Sequence, residues 1–227
     1  SSDLSNRASD VVANGSAQLV EGDAPAVSTM VDAKGNPIAW LYSQRRFEVP
    51  SDQIANTMKL AIVSIEDKRF AEHNGVDWTR TASATLNFFT GSRATFGGST
   101  LTQQVLKNMT GDDGNTINRK VREIFRALEF EKNYTKQEIL EMYLNNAYFG
   151  SGVWGVEDAS QKYLGKSASE VSLSEAAILA GILKSPSYYN PIDNKEASIA
   201  RRNTVLQLLA DNAFIDQATA DAAMAED

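Results

Sequence analysis

The chain has no cysteine and only one histidine in 227 residues. Without thiols there are no disulfide staples, thiol nucleophiles, Cys-ligated metals or iron–sulfur sites. A single imidazole, His73, excludes multi-histidine metal sites and makes any Ser-His-Asp triad depend on that one ring. Long apolar runs are missing too. The longest near-apolar stretch is Ala176–Leu183, far short of the roughly 20 residues a membrane-spanning helix needs. The chain opens in the polar run Ser1-Ser2-Asp3-Leu4-Ser5-Asn6, with no basic segment leading into an apolar one, so no signal peptide is expected there. Basic residues are the minority, 22 against 29 acidic for a net charge of −7, which argues against a nucleic-acid partner.

What is present suits a soluble globular protein. Hydrophobic residues make up 42% and charged residues 22%, enough for a sizeable core in one or two domains. The charge is uneven: residues 1–40 carry a net −3, residues 137–192 a net −3 and residues 193–227 a net −4, whereas residues 41–136 carry a net +3. An anionic ligand is expected on that net-positive stretch.

Residues 1–24, rich in Ser, Asn, Asp and Ala, read as a linker. Val27–Val31 and Ile38–Tyr42 around Asp32-Ala33-Lys34-Gly35-Asn36 read as two short strands joined by a glycine turn. Residues 1–47 are thus expected to be linker and hairpin, and residues 48–227 one mainly α domain. Ser51 is expected to cap a helix to about His73, Ser99 or Thr100 one to about Lys107, and Thr116 one to about Lys132. Thr135-Lys136-Gln137-Glu138 and Ser172-Leu173-Ser174-Glu175 are capping-box sequences. The second opens an Ala/Leu-rich helix expected to be buried. Asp193 is expected to start a helix through Leu209, and Asp216 a short last one.

Four groups of residues suggest chemistry. Ile54, Met58, Ile62, Glu66 and Phe70 fall at steps of four and would form one ridge of the first helix. A carboxylate among apolar neighbours loses hydration, its pKa should rise, and it suits general acid or base work; a boundary glutamate paired with a surface cation is the alternative. Glu123 has Arg119 four residues before it, Lys120 three before and Arg126 three after, beside an expected core stripe of Ile117, Val121, Ile124, Phe125 and Leu128. Those cations should keep it ionised, although spacing alone favours an ordinary salt-bridged face. Gly97-Gly98-Ser99-Thr100 followed by Gln103, Gln104, Lys107 and Asn108 combines close backbone approach with donors suited to sugars and phosphates. The stretch from Trp78 to Phe96 scatters aromatics among small polar residues, as either a membrane-dipping flap or an irregular packed loop would. His73, at a helix end, reads as a structural hydrogen-bonder.

These residues resemble the family 51 peptidoglycan glycosyltransferases. Glu66-Asp67-Lys68-Arg69-Phe70-Ala71-Glu72-His73-Asn74-Gly75 matches the family's first motif, E-D-x-x-F-x-x-H-x-G. Gly97 to Gln104 with Lys107-Asn108 is similar to the second motif, and Arg119-Lys120 with Glu123 to the third. Ile139 to Asn145 is similar to the fourth, and Ala176–Leu183 with Pro186 and Asn190-Pro191 to the fifth.

The resemblance implies a lysozyme-like, mainly α domain that polymerises lipid II into β-1,4-linked glycan with inversion and release of undecaprenyl pyrophosphate. It implies Glu66 as general base and Glu123 as an ionised organiser of cations around the donor's phosphates, together with a divalent cation, Mg or Mn, whose ligands the sequence does not identify. The implied substrate-binding set is Gly98, Ser99, Thr100, Gln103, Gln104, Lys107, Asn108, Arg119 and Lys120. Residues 78–96 would be a mobile membrane-facing jaw. The implied partners are lipid II, the growing glycan chain, the membrane surface and, in a full-length penicillin-binding protein, a transpeptidase domain. The implied place is the extracytoplasmic face of the cytoplasmic membrane, with the anchor outside this chain, and the implied inhibitor is moenomycin. One position departs from the pattern: an arginine that many members carry eight residues after the lysine matching Lys107 is Asn115 here, beside Asp112-Asp113. A lysozyme-like muramidase or lytic transglycosylase, or a non-catalytic wall-binding module, are the alternatives.

Overall fold

The structure, a computed structural model, describes residues 28–31, 37–41, 48–80, 99–111 and 117–227. The expected linker, Gly97, Gly98, Asn115 and all but the first three residues of the aromatic stretch 78–96 lie outside the described residues. By their contacts the described residues form two compact units. One holds the hairpin and residues from Asn74 to Thr135; the other holds residues up to His73 from Glu48, and Lys136–Asp227. The architecture is mainly α, as expected. Among the described residues no helix is long and apolar enough to cross a membrane.

In the first unit, β1 (Ser28–Val31) pairs antiparallel with β2 (Pro37–Leu41), with Thr29 opposite Trp40 and Met30 opposite Ala39. Helix α2 (Leu101–Thr110) starts at Thr100, whose side-chain oxygen accepts from the Gln103 N–H while Gln103 Oε1 accepts from the Thr100 N–H at 2.8 Å. That reciprocal cap satisfies two donors that a helix start otherwise leaves open. Helix α3 (Ile117–Asn133) lies against α2, and Val76, Leu106 and Ala127 form a small core with Ile124, Leu128 and Phe130 packed on it.

The buried face of α3 is not the expected stripe. Val121 and Phe125 are exposed, whereas Glu123 and Ala127 are buried. A polar contact from α2 helps to hold that face inward, whereas the cations that meet Glu123 lie on α3 itself and turn with it. Glu123 meets two cations, and Glu131 Oε1 accepts from Thr102 Oγ1 at 2.6 Å. Thr102 is fully buried, and a buried polar group without a partner is costly, so its bond to Glu131 favours this face.

The second unit comprises α1 (Asn56–Glu66), α4 (Lys136–Asn146), α5 (Val156–Leu164), α6 (Leu173–Ile182), α7 (Lys195–Asp211) and α8 (Gln217–Met224). Helix α6 is its centre and touches α1, α5, α7 and α8. Ala176, Ala177, Leu179, Ala180, Gly181 and Ile182 are all buried, as a helix that is apolar all round requires. Helix α5 is one the sequence reading did not anticipate. Helix α7 is capped not by Asp193 but by Asn194, whose side chain accepts from the Ala197 N–H at 3.2 Å; Asp193 Oδ2 instead accepts from Asn190 Nδ2.

The expected cap of α6 is present: Ser172 and Glu175 form the reciprocal box, and Lys166 Nζ donates to Glu175 at 3.0 Å. Partial burial pushes the Glu175 carboxyl up, but the hydrogen bonds from Lys166 and Ser172 outweigh it and hold the group below its ordinary value of 4.5. A carboxyl lowered on folding contributes stability that is fully present above its unfolded pKa and is lost as pH falls through the folded one. The thermal midpoint of the parent is therefore expected to drop more steeply below pH 4.5 than that of Glu175→Gln. Parallel pH curves would remove the assignment.

Candidate active site

In the second unit, the residues from Ser51 to His73 do not form the single helix expected. Ser51–Gln53 is a 3-10 turn, Ile54 and Ala55 are extended, and α1 begins only at Asn56. Ser51 is held by α4 instead of capping a helix: its N–H donates to Glu141 Oε2 at 2.8 Å and its Oγ to Gln137 Oε1 at 3.0 Å. The apolar members of the ridge, Ile54, Met58, Ile62 and Phe70, are nonetheless buried.

Glu66 is the last residue of α1 and is half-buried, not enclosed among the apolar ridge members. The helix stops there because Asp67 leaves helical space, with φ −157° and ψ 71°. Asp67 is 1% exposed and its Oδ2 lies 2.7 Å from His73 Nε2. His73 thus closes the turn from Asp67 to His73, in keeping with its structural reading. From α4, Tyr143 faces the same end of α1. Burial pushes its hydroxyl far up, and the negative charge of Glu66 pushes the same way, so Tyr143 stays a protonated donor at physiological pH. Asn145, in the fourth motif, exchanges two hydrogen bonds with the Val49 backbone, at 3.0 and 2.9 Å, and so belongs to the framework.

In the first unit, Glu123 sits between two cations on its own helix. Arg119 Nη1 donates to Glu123 Oε2 and Lys120 Nζ to Glu123 Oε1, each at 2.7 Å. These are charge-assisted bonds in a largely shielded place, the side chains being 15%, 26% and 9% exposed for Arg119, Lys120 and Glu123. Lys120 Nζ also donates to Ser99 Oγ at 3.3 Å, tying the residue before the α2 cap to the cluster. Each Glu123 oxygen thus accepts from one cation, and the carboxyl group holds the two side chains together. A cleft beside it is lined by Leu106, Lys107, Thr110, Arg119, Glu123 and Arg126. Arg119 and Lys120 pair with Glu123, and Lys107 and Arg126 line the cleft beside it, so positive charge is gathered there.

The other sequence candidates separate into two groups. Lys107 and Asn108 are exposed on α2 and Ser99 is half-buried. Thr100 and Gln103 are fully buried in the helix cap, and Thr100 Oγ1 also donates to the Gly75 carbonyl at 2.7 Å. Thr100 and Gln103 Oε1 thus hold the start of α2, while Gln103 Nε2 is buried without a hydrogen-bond partner. Gln104 Nε2 reaches the Ser99 carbonyl at 3.4 Å. Among the described residues no group of three or more His, Asp or Glu is placed to hold a metal. At Glu123 both oxygens already face cations, so this donor set does not fit a protein-held divalent ion.

The family model described as Transglycosylase matches residues 34–210, and the chain belongs to that family. Penicillin-binding protein 2a of Streptococcus pneumoniae is 48% identical over 177 residues, covering 78% of this chain and 24% of that protein. Penicillin-binding protein 1A of Escherichia coli is 39% identical over 214 residues, 88% of this chain and 25% of that protein. The crystal structure of Penicillin-Binding Protein 1A from Haemophilus influenzae is similar at a TM-score of 0.49 and 28% identity, covering 86% of this chain and 20% of that one. The chain therefore spans about a quarter of the length of the curated relatives it matches.

Proposed function

We propose that this chain is a peptidoglycan glycosyltransferase that polymerises lipid II into β-1,4-linked glycan strands with inversion. The observation that carries the reading is Glu123 clamped by Arg119 and Lys120 beside a cleft that Lys107 and Arg126 also line. Departure of undecaprenyl pyrophosphate leaves negative charge on phosphate oxygens, and prearranged cations stabilise it where it develops. Glu66 acts as general base. The acceptor's 4-hydroxyl oxygen attacks the donor's anomeric carbon, its proton passes to Glu66, and the bond from that carbon to the pyrophosphate breaks with its electron pair leaving on oxygen. Ser99, Lys107, Asn108, Arg119 and Lys120 contact the donor, while Thr100 and Gln103 hold the loop that presents Ser99. A divalent cation taking part would be carried by the pyrophosphate oxygens, which supply the hard donor set it needs. A transpeptidase domain in a longer protein and work at the extracytoplasmic membrane face belong to the same proposal; the relatives named are penicillin-binding proteins, of which this chain covers about a quarter.

A retaining muramidase would need a second carboxylate about 5 Å from the acid. The next carboxylate in the chain, Asp67, is buried against His73, which argues against Asp67 as such a nucleophile. The test is incubation of the purified chain with labelled lipid II in detergent, with and without Mg²⁺. Lysozyme-sensitive strands are expected; release of sugars from finished peptidoglycan in the absence of lipid II would overturn the reading in favour of a hydrolase. Lys120→Ala is expected to weaken binding of the phosphoglycolipid moenomycin roughly tenfold, the scale of one charge-assisted hydrogen bond. Unchanged affinity by calorimetry would contradict the role of that cation.

A further inference from the structure

We propose that Lys136 is a positioning residue for Glu66, acting through His73 and the turn that follows α1; the proposal rests on the reading of Glu66 as base. Lys136 opens α4, 63 residues from His73 in sequence. Its ammonium makes three contacts with that one turn. It donates to the His73 carbonyl at 2.6 Å, lies 3.5 Å from His73 Nδ1, and sits 4.3 Å from the centre of the Phe70 ring. Phe70 in turn meets the His73 ring edge-on at 5.9 Å.

An ammonium has donors only, so the ring nitrogen facing it is the one with the lone pair. His73 is thereby set as the Nε2–H tautomer, whose proton points to Asp67 Oδ2 at 2.7 Å. Asp67 directly follows Glu66 and is the residue whose backbone ends α1. A carboxylate at a helix C-terminus faces the negative pole of the helix, and burial adds to the cost of its charge. The hydrogen bond from His73, locked by Lys136, offsets both and fixes the direction in which the chain leaves Glu66. Tyr143, seven residues after Lys136 on α4, senses the Glu66 charge.

If Lys136 positions the base, its loss lowers kcat and leaves substrate KM unchanged. Lys136→Met is expected to reduce kcat for lipid II polymerisation roughly 10- to 100-fold, as small misplacements of a reacting group do. KM is expected to stay within about twofold, and Lys136→Arg, which keeps a cation, is expected to recover most of the loss. With one histidine in the chain, ¹⁵N-histidine labelling gives a single ring to follow. The parent and Lys136→Arg are expected to show the Nε2–H tautomer, and Lys136→Met a mixture with Nδ1–H. A ring spectrum unchanged in Lys136→Met overturns the lock whatever Glu66 does, and an unchanged kcat beside an inactive Glu66→Gln overturns the positioning role while sparing the base reading. Activity in Glu66→Gln itself would remove the base reading and this role with it.

Discussion

Glu66→Gln is expected to abolish glycan polymerisation while leaving the fold intact. Glutamine matches the shape of glutamate and keeps an acceptor oxygen, but at neutral pH it takes up no proton. The loss should therefore be that of general-base catalysis, about 10²- to 10⁴-fold. Stability should change little, because Glu66 is half-buried at a helix end and no large cavity results. The pairing of measurements matters: polymer formed from labelled lipid II, and the thermal midpoint of the same sample. Activity within a few-fold of the parent would remove Glu66 as base. A collapsed midpoint would mean that the carboxylate serves the turn after α1 and not the acceptor hydroxyl.

The second large effect is on folding. Gly75, the last residue of the first motif, has φ +101°, and a Cβ there would lie 2.5 Å from the Ala127 carbonyl oxygen and 2.7 Å from its carbon. Both are backbone atoms of α3, so nothing short of moving that helix relieves the clash. On its other side the Gly75 carbonyl is held by Thr100 Oγ1 at 2.7 Å. Gly75→Ala therefore adds a methyl where there is no room and forces a side chain into the left-handed region, at a combined cost of about 3 kcal/mol. Ala127 is one turn beyond Glu123, so the shift that accommodates the methyl also displaces the cation cluster. Urea unfolding of the variant is expected to show the loss, with weakened moenomycin binding beside it. A change under about 1 kcal/mol, the size of an ordinary surface substitution, would show that α3 yields more easily than its packing suggests.

How far the molecule was legible beforehand depends on the range of the interaction. The caps at Thr100, Ser172 and Asp216 were readable because a helix start is decided within four residues. The Arg119–Glu123 and Lys120–Glu123 pairs were readable because residues three and four apart on a helix are neighbours. The burial of α6 followed from its composition. In three places the structure adds a hydrogen bond to another segment that spacing does not show. Ser51 gave its N–H and hydroxyl to α4 and so did not cap a helix. Helix α3 turns Val121 and Phe125 outward while Thr102 of α2 bonds to Glu131 on its other face. Thr100 and Gln103 read as ligand donors, yet their partners were each other and Gly75.

Local sequence by itself determined most of the helices, though not α5 or the break before α1, and the charge cluster around Glu123, since these depend on neighbours a turn or less away. The tertiary structure alone decided that Glu66 ends its helix half-buried and that Gly75 touches α3. It also decided that Lys136, 63 residues along the chain, closes over His73. Those outcomes turn on which remote backbone and side-chain groups satisfy one another once buried, a balance that no window of neighbouring residues contains.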